Sequence, residues 1–182
     1  MSETISRLPG DTPPDAAVAR MIRVDHAGEY GAVRIYAGQL AALRGGEKTE
    51  LVRHMLAQEQ HHLDTFDALV ADRRVRPTAL LPLWHLVGFA LGAVTAALGE
   101  RAAMACTVAV EETIDAHYRK QIAALDDSEA ALRTTISRFR DEELEHRDIG
   151  LAHGAEQAPG YRLLHAVIKT GCRAAIALSE RL

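Results

Sequence analysis

Residues 142–148 read Glu-Glu-Leu-Glu-His-Arg-Asp, four acids and a histidine within seven positions. On an exposed helix such a run is ordinary solvated charge. It is set apart by a second copy of its central spacing. Glu143 and His146 stand three apart, as do Glu59 and His62, and Glu-x-x-His occurs nowhere else in the 182 residues. Three residues of helix turn the chain through about 300°, so both side chains return to one face and can share a cation. One such pair is weak grounds for a metal site, and its surroundings decide.

Glu29 lies thirty residues before Glu59, and Glu111 lies thirty-two before Glu143. Each half of the chain therefore reads Glu, about thirty residues, then Glu-x-x-His, with the second Glu and the His recurring at an offset of 84. The midpoint of Glu29 and Glu59 is position 44, against Gly45-Gly46; that of Glu111 and Glu143 is 127, inside Asp126-Asp127-Ser128. Two antiparallel helices joined at such turns bring residues equidistant from the turn to one height. Packing two such hairpins gathers four carboxylates and two imidazoles at one level of a four-helix bundle. That is the ligand set of ferritin-like di-iron and di-manganese carboxylate proteins. Bridging carboxylates hold two cations close and offset their charge, while each imidazole anchors one ion.

Neighbouring acids compete for these places. Glu142 is four residues from His146, but Glu59 precedes its own histidine by three, which favours Glu143. Glu112 stands beside Glu111, and the apolar run Ala103–Val110 and the spacing to Glu143 favour Glu111. Asp115, Asp148 and His117 are candidates for orienting ligands from behind, with exposed charge an equal alternative.

The rest of the composition agrees with helices. Ala, Leu, Glu and Arg dominate, aromatic residues are 4%, and strand formers are scattered. A length of 182 residues suits one compact domain. The punctuation predicts a tail over residues 1–14, a helix start at Thr12-Pro13-Pro14-Asp15, and a single domain over 15–182. Helices are expected over about 16–44, 47–74, 100–125, 129–153 and 161–180. The fold class is thus all-α: a ferritin-like four-helix bundle with a long apolar crossover and an extra C-terminal helix. A net charge of −4 argues against nucleic-acid binding. Cys106 and Cys172, far apart among small apolar residues, are expected to be buried side chains rather than a redox or zinc pair. The N-terminal residues have no apolar signal core, so a reducing cytoplasmic setting is the default expectation.

Leu80–Gly99, LLPLWHLVGFALGAVTAALG, is long enough to be considered as a membrane span. One complete crossing would put the two halves of the ligand set on opposite sides of a bilayer. In a ferritin-like bundle the second and third helices run parallel, so their connection must climb back about 39 Å, a distance residues 74–99 can cover as helix. Such a crossover either packs on the bundle or turns an apolar face to a bilayer surface, with Arg73, Arg74 and Arg76 meeting phosphates and Trp84 at the interface. The terminal run from Val167 to Leu182 has the same two readings.

Five stretches carry a resemblance: RVDHAGEYGAVRIYAG (23–38), RVRPTALLPLWHLVGFALGA (74–93), AMACTVAVEETIDAHY (103–118), FRDEELEHRDIGLAHGAE (139–156) and GCRAAIALSERL (171–182). Together they closely resemble the demethoxyubiquinone hydroxylase family over about residues 20–182. The resemblance implies a peripheral-membrane di-iron monooxygenase that hydroxylates the ring of a polyprenyl demethoxyquinone late in ubiquinone biosynthesis. Motif by motif, the implied ligands are Glu29, Glu59, His62, Glu111, Glu143 and His146, in agreement with the spacing. It further implies two iron ions, NADH or another reductant as electron donor, and a place on the cytoplasmic face of a bacterial inner membrane. It leaves room for a lipid-binding partner of the ubiquinone pathway. His117 and Tyr118 resemble family positions near the metals that assist proton or electron transfer. No Gly-rich nucleotide loop accompanies them. Iron handling without an organic substrate, and a metal-free membrane adaptor, are the competing classes. The first predicts a large hollow oligomer, and the second has no use for four carboxylates in a core.

Overall fold

The computed structural model of the chain describes residues 16–182. The expected tail and the expected helix start at Thr12–Asp15 lie outside the described residues. Six α-helices follow: α1 (Ala16–Ala42), α2 (Glu47–Asp72), α3 (Leu81–Ala97), α4 (Glu100–Ala124), α5 (Ala130–Ala152) and α6 (Tyr161–Ser179). Among the described residues no strand forms.

The breaks fall where the chain chemistry puts them. Gly45 and Gly46 have φ of 79° and 95°, a region costly for residues with a Cβ, and they close the α1–α2 hairpin. At the α4–α5 turn the Asp126 carboxylate accepts from the Ser128 N–H at 2.9 Å and a short 3₁₀ turn covers Asp127–Glu129. The Arg73 guanidinium donates two 2.8 Å hydrogen bonds to Glu129, pinning the end of α2 to the start of α5. Helices α1, α2, α4 and α5 thus form the bundle. Two apolar clusters cap its length. One joins Ile22, Phe66, Tyr118, Ile136 and Phe139; the other joins Tyr36, Val52, Met55, Met104 and Val108. The predicted ligands lie between them. Helix α4 is central, and Ala102 through Glu111 is buried without interruption. Its small side chains let neighbours approach from several sides.

The crossover is only partly helical. Pro77 and Pro82 keep residues 73–80 irregular, and the 17-residue α3 supplies about 26 Å of the climb. Helix α3 runs parallel to α1 and touches it backbone to backbone. A Cβ on Gly92 would collide with the carbonyl oxygen of Ile35, and one on Gly38 with that of Phe89. The opposite face of α3 is open: Leu83, Leu86, Val87, Val94 and Leu98 are exposed, as are Leu163, Val167, Leu178 and Leu182 in and after α6. Both sequence readings of the crossover therefore describe a real face of it, one packed and one open. No helix of the described residues is long and apolar enough to cross a membrane. Two expected lipid contacts are engaged otherwise. Arg73 holds Glu129, and the Trp84 indole donates to Ser179 Oγ at 3.1 Å across the α3–α6 seam.

The glycine contact gives a direct test. Gly92→Ala should lower stability by about 1–3 kcal/mol through overpacking. Gly28→Ala, where nothing lies within 4 Å of the added carbon, should be neutral or slightly stabilising. Urea unfolding of the two variants measures the contrast, and equal effects would contradict the close approach.

Candidate metal centre

Glu29 on α1, Glu59 and His62 on α2, Glu111 on α4, and Glu143 and His146 on α5 converge midway along the bundle, all fully or almost fully buried. Their donor atoms form two groups, each able to hold one metal ion: Glu29, Glu59, His62 and Glu143 in one, and Glu59, Glu111, Glu143 and His146 in the other. Glu59 and Glu143 belong to both, the position of bridging carboxylates. Glu29 and Glu111 belong to one each, the position of terminal ligands.

The hydrogen bonding of these atoms fits a cation between them. Glu29 Oε2, both carboxylate oxygens of Glu59 and of Glu143, Glu111 Oε2, His62 Nδ1 and His146 Nδ1 are buried without a hydrogen-bond partner among the described residues. Buried polar atoms are ordinarily satisfied, so eight such atoms aimed at one place call for a ligand. His62 Nδ1 lies 3.3 Å from Glu143 Oε1 and 3.4 Å from Glu29 Oε2; His146 Nδ1 lies 3.1 Å from Glu59 Oε1 and 3.3 Å from Glu143 Oε2. Oxygen-rich sites with one imidazole each suit a divalent first-row metal such as iron or manganese.

Outside this set the sequence reading meets mixed outcomes. Glu142 turns away from the interior, and its Oε2 lies 2.7 Å from His62 Nε2. Glu112 faces α6 instead, accepting from Lys169 at 2.6 Å and meeting His165 Nε2 at 3.0 Å. Asp115 pairs with Arg140 and Asp148 with Arg147, so neither orients a ligand. The Tyr118 hydroxyl donates to Glu29 Oε1. His117 does not reach the six: its Nε2 lies 2.9 Å from Gln121 Nε2 and 3.5 Å from the buried Asp25 carboxylate. Two supports escaped the sequence reading. Tyr36 donates to Glu111 Oε1 at 2.6 Å, and Gln58 Oε1 lies 3.0 Å from His146 Nε2. A signal existed for both. Tyr36 and Tyr118 each follow a terminal glutamate by seven residues, and Gln58 and Glu142 each immediately precede a bridging one.

The electrostatics follow from burial and crowding. Burial, then the charges of Glu143 and a second carboxylate, push Glu59 and Glu111 well above the usual carboxylate range. For both imidazoles burial opposes the charged ring, yet the negative charge of the carboxylates 3.1–3.4 Å away prevails and raises them. Burial alone would also raise Glu143, but His146 and His62 outweigh it and hold that carboxyl low. These directions favour protons on His62, His146, Glu59 and Glu111. Burial and the adjoining carboxylates also raise both tyrosines well above their usual value, so they remain donors.

A four-helix bundle with two carboxylate–histidine groups sharing two glutamates defines the class of ferritin-like carboxylate proteins. The sequence pattern of the family described as ubiquinone biosynthesis protein COQ7 matches residues 16–179, and the chain belongs to that family. It is similar to the 3-demethoxyubiquinol 3-hydroxylase of Rhodospirillum rubrum, at 62% identity over 96% of this chain and 83% of the relative. The mitochondrial NADPH-dependent 3-demethoxyubiquinone 3-hydroxylase of Homo sapiens is 57% identical over 92% of this chain and 79% of its own length. The mitochondrial 5-demethoxyubiquinone hydroxylase of Saccharomyces cerevisiae is 42% identical over 92% and 79%.

Proton storage has a measurable sign. The upward shifts favour the protonated forms of both rings and of the Glu59 and Glu111 carboxyls, and each must lose its proton to ligate. Metal uptake should therefore release protons, and apparent affinity should fall as pH falls. Calorimetry of Fe(II) binding under argon, in two buffers of different ionisation enthalpy, reads the released protons directly. Uptake without proton release would contradict this account.

Proposed function

We propose that this chain is an O2-dependent hydroxylase of demethoxyubiquinol in ubiquinone biosynthesis, with two iron ions held by Glu29, Glu59, His62, Glu111, Glu143 and His146. The observation that carries the reading is the convergence of eight unsatisfied buried donor atoms beside an apolar groove of quinone-tail chemistry. When bound, the irons supply the reduction of O2 and the transfer of one oxygen atom to the ring, the other leaving as water. The chain's own residues do the rest.

The groove, about 320 Å³, lies between α1, α3, α4 and α6 and is lined by Gly28, Gly31, Val110, Leu91, Ile168 and others. Gly28 and Gly31 have open space where a side chain would stand, which leaves room for the ring and its isoprenoid tail. Gly28 precedes Glu29 and Val110 precedes Glu111, so the groove runs beside the two terminal ligands. Tyr118 and Tyr36 hold those ligands in place through the hydrogen bonds to Glu29 and Glu111. Exposed Val87 of α3 and Val167 of α6 line the groove, and we assign them, with the other exposed leucines and valines of these helices, to peripheral contact with the lipid surface from which a polyprenyl quinone comes. A cytoplasmic face of a bacterial inner membrane fits that contact and the bacterial relative.

A second cavity, about 480 Å³, adjoins the first, sharing Val24, Thr113 and Ile176, and is lined by Arg20, Lys120 and Arg173 with His117. Three cations against the one carboxylate of Glu180, beside an apolar site, suit the phosphates of a reduced nicotinamide dinucleotide, the reductant class named for the human relative. In this arrangement His117, on the wall of the second cavity and backed by Asp25, handles protons there, and Tyr118, next to it in sequence, donates to Glu29.

Iron-loaded protein given a short-tailed demethoxyquinone, a nicotinamide reductant and ¹⁸O2 should yield product with one labelled oxygen. Glu143→Ala should abolish that product while circular dichroism keeps the helical signal. Full turnover by this variant would remove the ligand assignment; iron uptake and O2 consumption with unlabelled quinone would remove the substrate. Arg173→Ala should raise KM for the nucleotide about tenfold or more with little change in kcat.

A further inference from the structure

The two halves of the centre repeat closely in their ligands and differ in what stands behind the histidines. His62 and His146 both aim Nδ1 inward, and both are held from behind at Nε2. The holding residue comes from the facing helix, and in each case it directly precedes the Glu of the opposite Glu-x-x-His. At His62 it is Glu142, whose Oε2 lies 2.7 Å away; at His146 it is Gln58, whose Oε1 lies 3.0 Å away. The ring nitrogen donates in both pairs. One acceptor is a carboxylate and the other a neutral amide at the equivalent place. Glu142 keeps partial solvent contact, and its other oxygen meets the exposed Arg138 at 4.0 Å, a loose pair beside the 2.7 Å contact to His62. Among the described residues no similar carboxylate stands behind His146.

A carboxylate behind a ligating imidazole raises the basicity of the metal-bound nitrogen and fixes the ring, whereas an amide carbonyl does less of both. The backing carboxylate of Glu142 therefore acts on the ligand of one metal position and not the other. We propose that the two metal positions are unequal and fill in order, the ion on His62 binding first and more tightly because Glu142 backs its ligand, while the ion on His146, backed by Gln58, binds second. Glu142 is a positioning residue in this account, acting through His62. The proposal rests on the two-metal reading of the centre.

The test uses the full chain, ¹⁵N-labelled at histidine, titrated with Zn(II) as a diamagnetic probe. Ring nitrogen resonances report each histidine separately, and no turnover is needed. One equivalent of Zn(II) should move His62 Nδ1 to its coordinated position and leave His146 largely unchanged, with the second equivalent moving His146. In Glu142→Gln the affinity at His62 should drop about tenfold or more, so that the two rings respond together. Gln58→Glu should act in the opposite sense, tightening the His146 position toward that of His62. Its response guards against a trivial loss of folding in the first variant. Parallel responses of both rings in the unaltered chain, or an unchanged order in Glu142→Gln, would overturn the proposal while leaving the two-metal centre intact. Failure of either ring to respond to any Zn(II) would overturn both.

Discussion

Four carboxylates and two imidazoles in the middle of a helical bundle form the constraint around which the remaining structure is arranged. Removed from water without partners, such charges cost several kcal/mol each. Two divalent cations held there would turn that repulsion into cohesion, and the six residues present their charges at one level of the bundle. Apolar clusters above and below, centred on Tyr36, Met55 and Met104 and on Phe66, Tyr118 and Phe139, supply the folding drive that the charged layer cannot. The layer is thus tolerated because of the apolar packing on either side of it.

Around that layer the two hairpins serve each other. Tyr36 of the first half holds Glu111 of the second, and Tyr118 of the second holds Glu29 of the first. The residues behind the histidines cross over in the same way, Glu142 to His62 and Gln58 to His146. Neither hairpin completes its own ligand geometry, so docking of the halves and assembly of the centre are one event. His62 is also stacked on Phe139 of the facing hairpin, ring centres 3.9 Å apart, which ties the ligand to the apolar packing.

Much of this was legible in the sequence because ligation fixes both residue type and spacing. The six converging residues, the two turns and the helix limits follow from period and punctuation, and each limit falls within about two residues of its expected place. The supports were harder to read. A helical period gives the height and face of Tyr36, Gln58 or Glu142, but not which neighbouring helix that face meets. The crossover was legible in extent and less so in form: Pro77 and Pro82 shorten its helix, and the expected lipid contacts Arg73 and Trp84 are drawn into Glu129 and Ser179. Gly38 and Gly92 pack backbone on backbone, while Gly28 and Gly31 leave space. Only the third dimension separates the two uses of one residue type.

The backbone contact between α1 and α3 bears on how anything large enters the groove. Glycine against carbonyl leaves no side-chain cushion to flex, so α1 and α3 form one stiff wall, and α1 also carries Glu29. The opposite wall, α6, meets the bundle through side chains: Ile168 packs with Cys106, Ala109 and Val110, Glu112 meets His165 and Lys169, and Trp84 meets Ser179. One wall of the groove is thus joined backbone to backbone and carries a residue of the charged layer, while the other is joined by side chains and carries none. Room for anything large can therefore come from side-chain rotation on the α6 side, and not from the α1–α3 seam that fixes the height of Glu29.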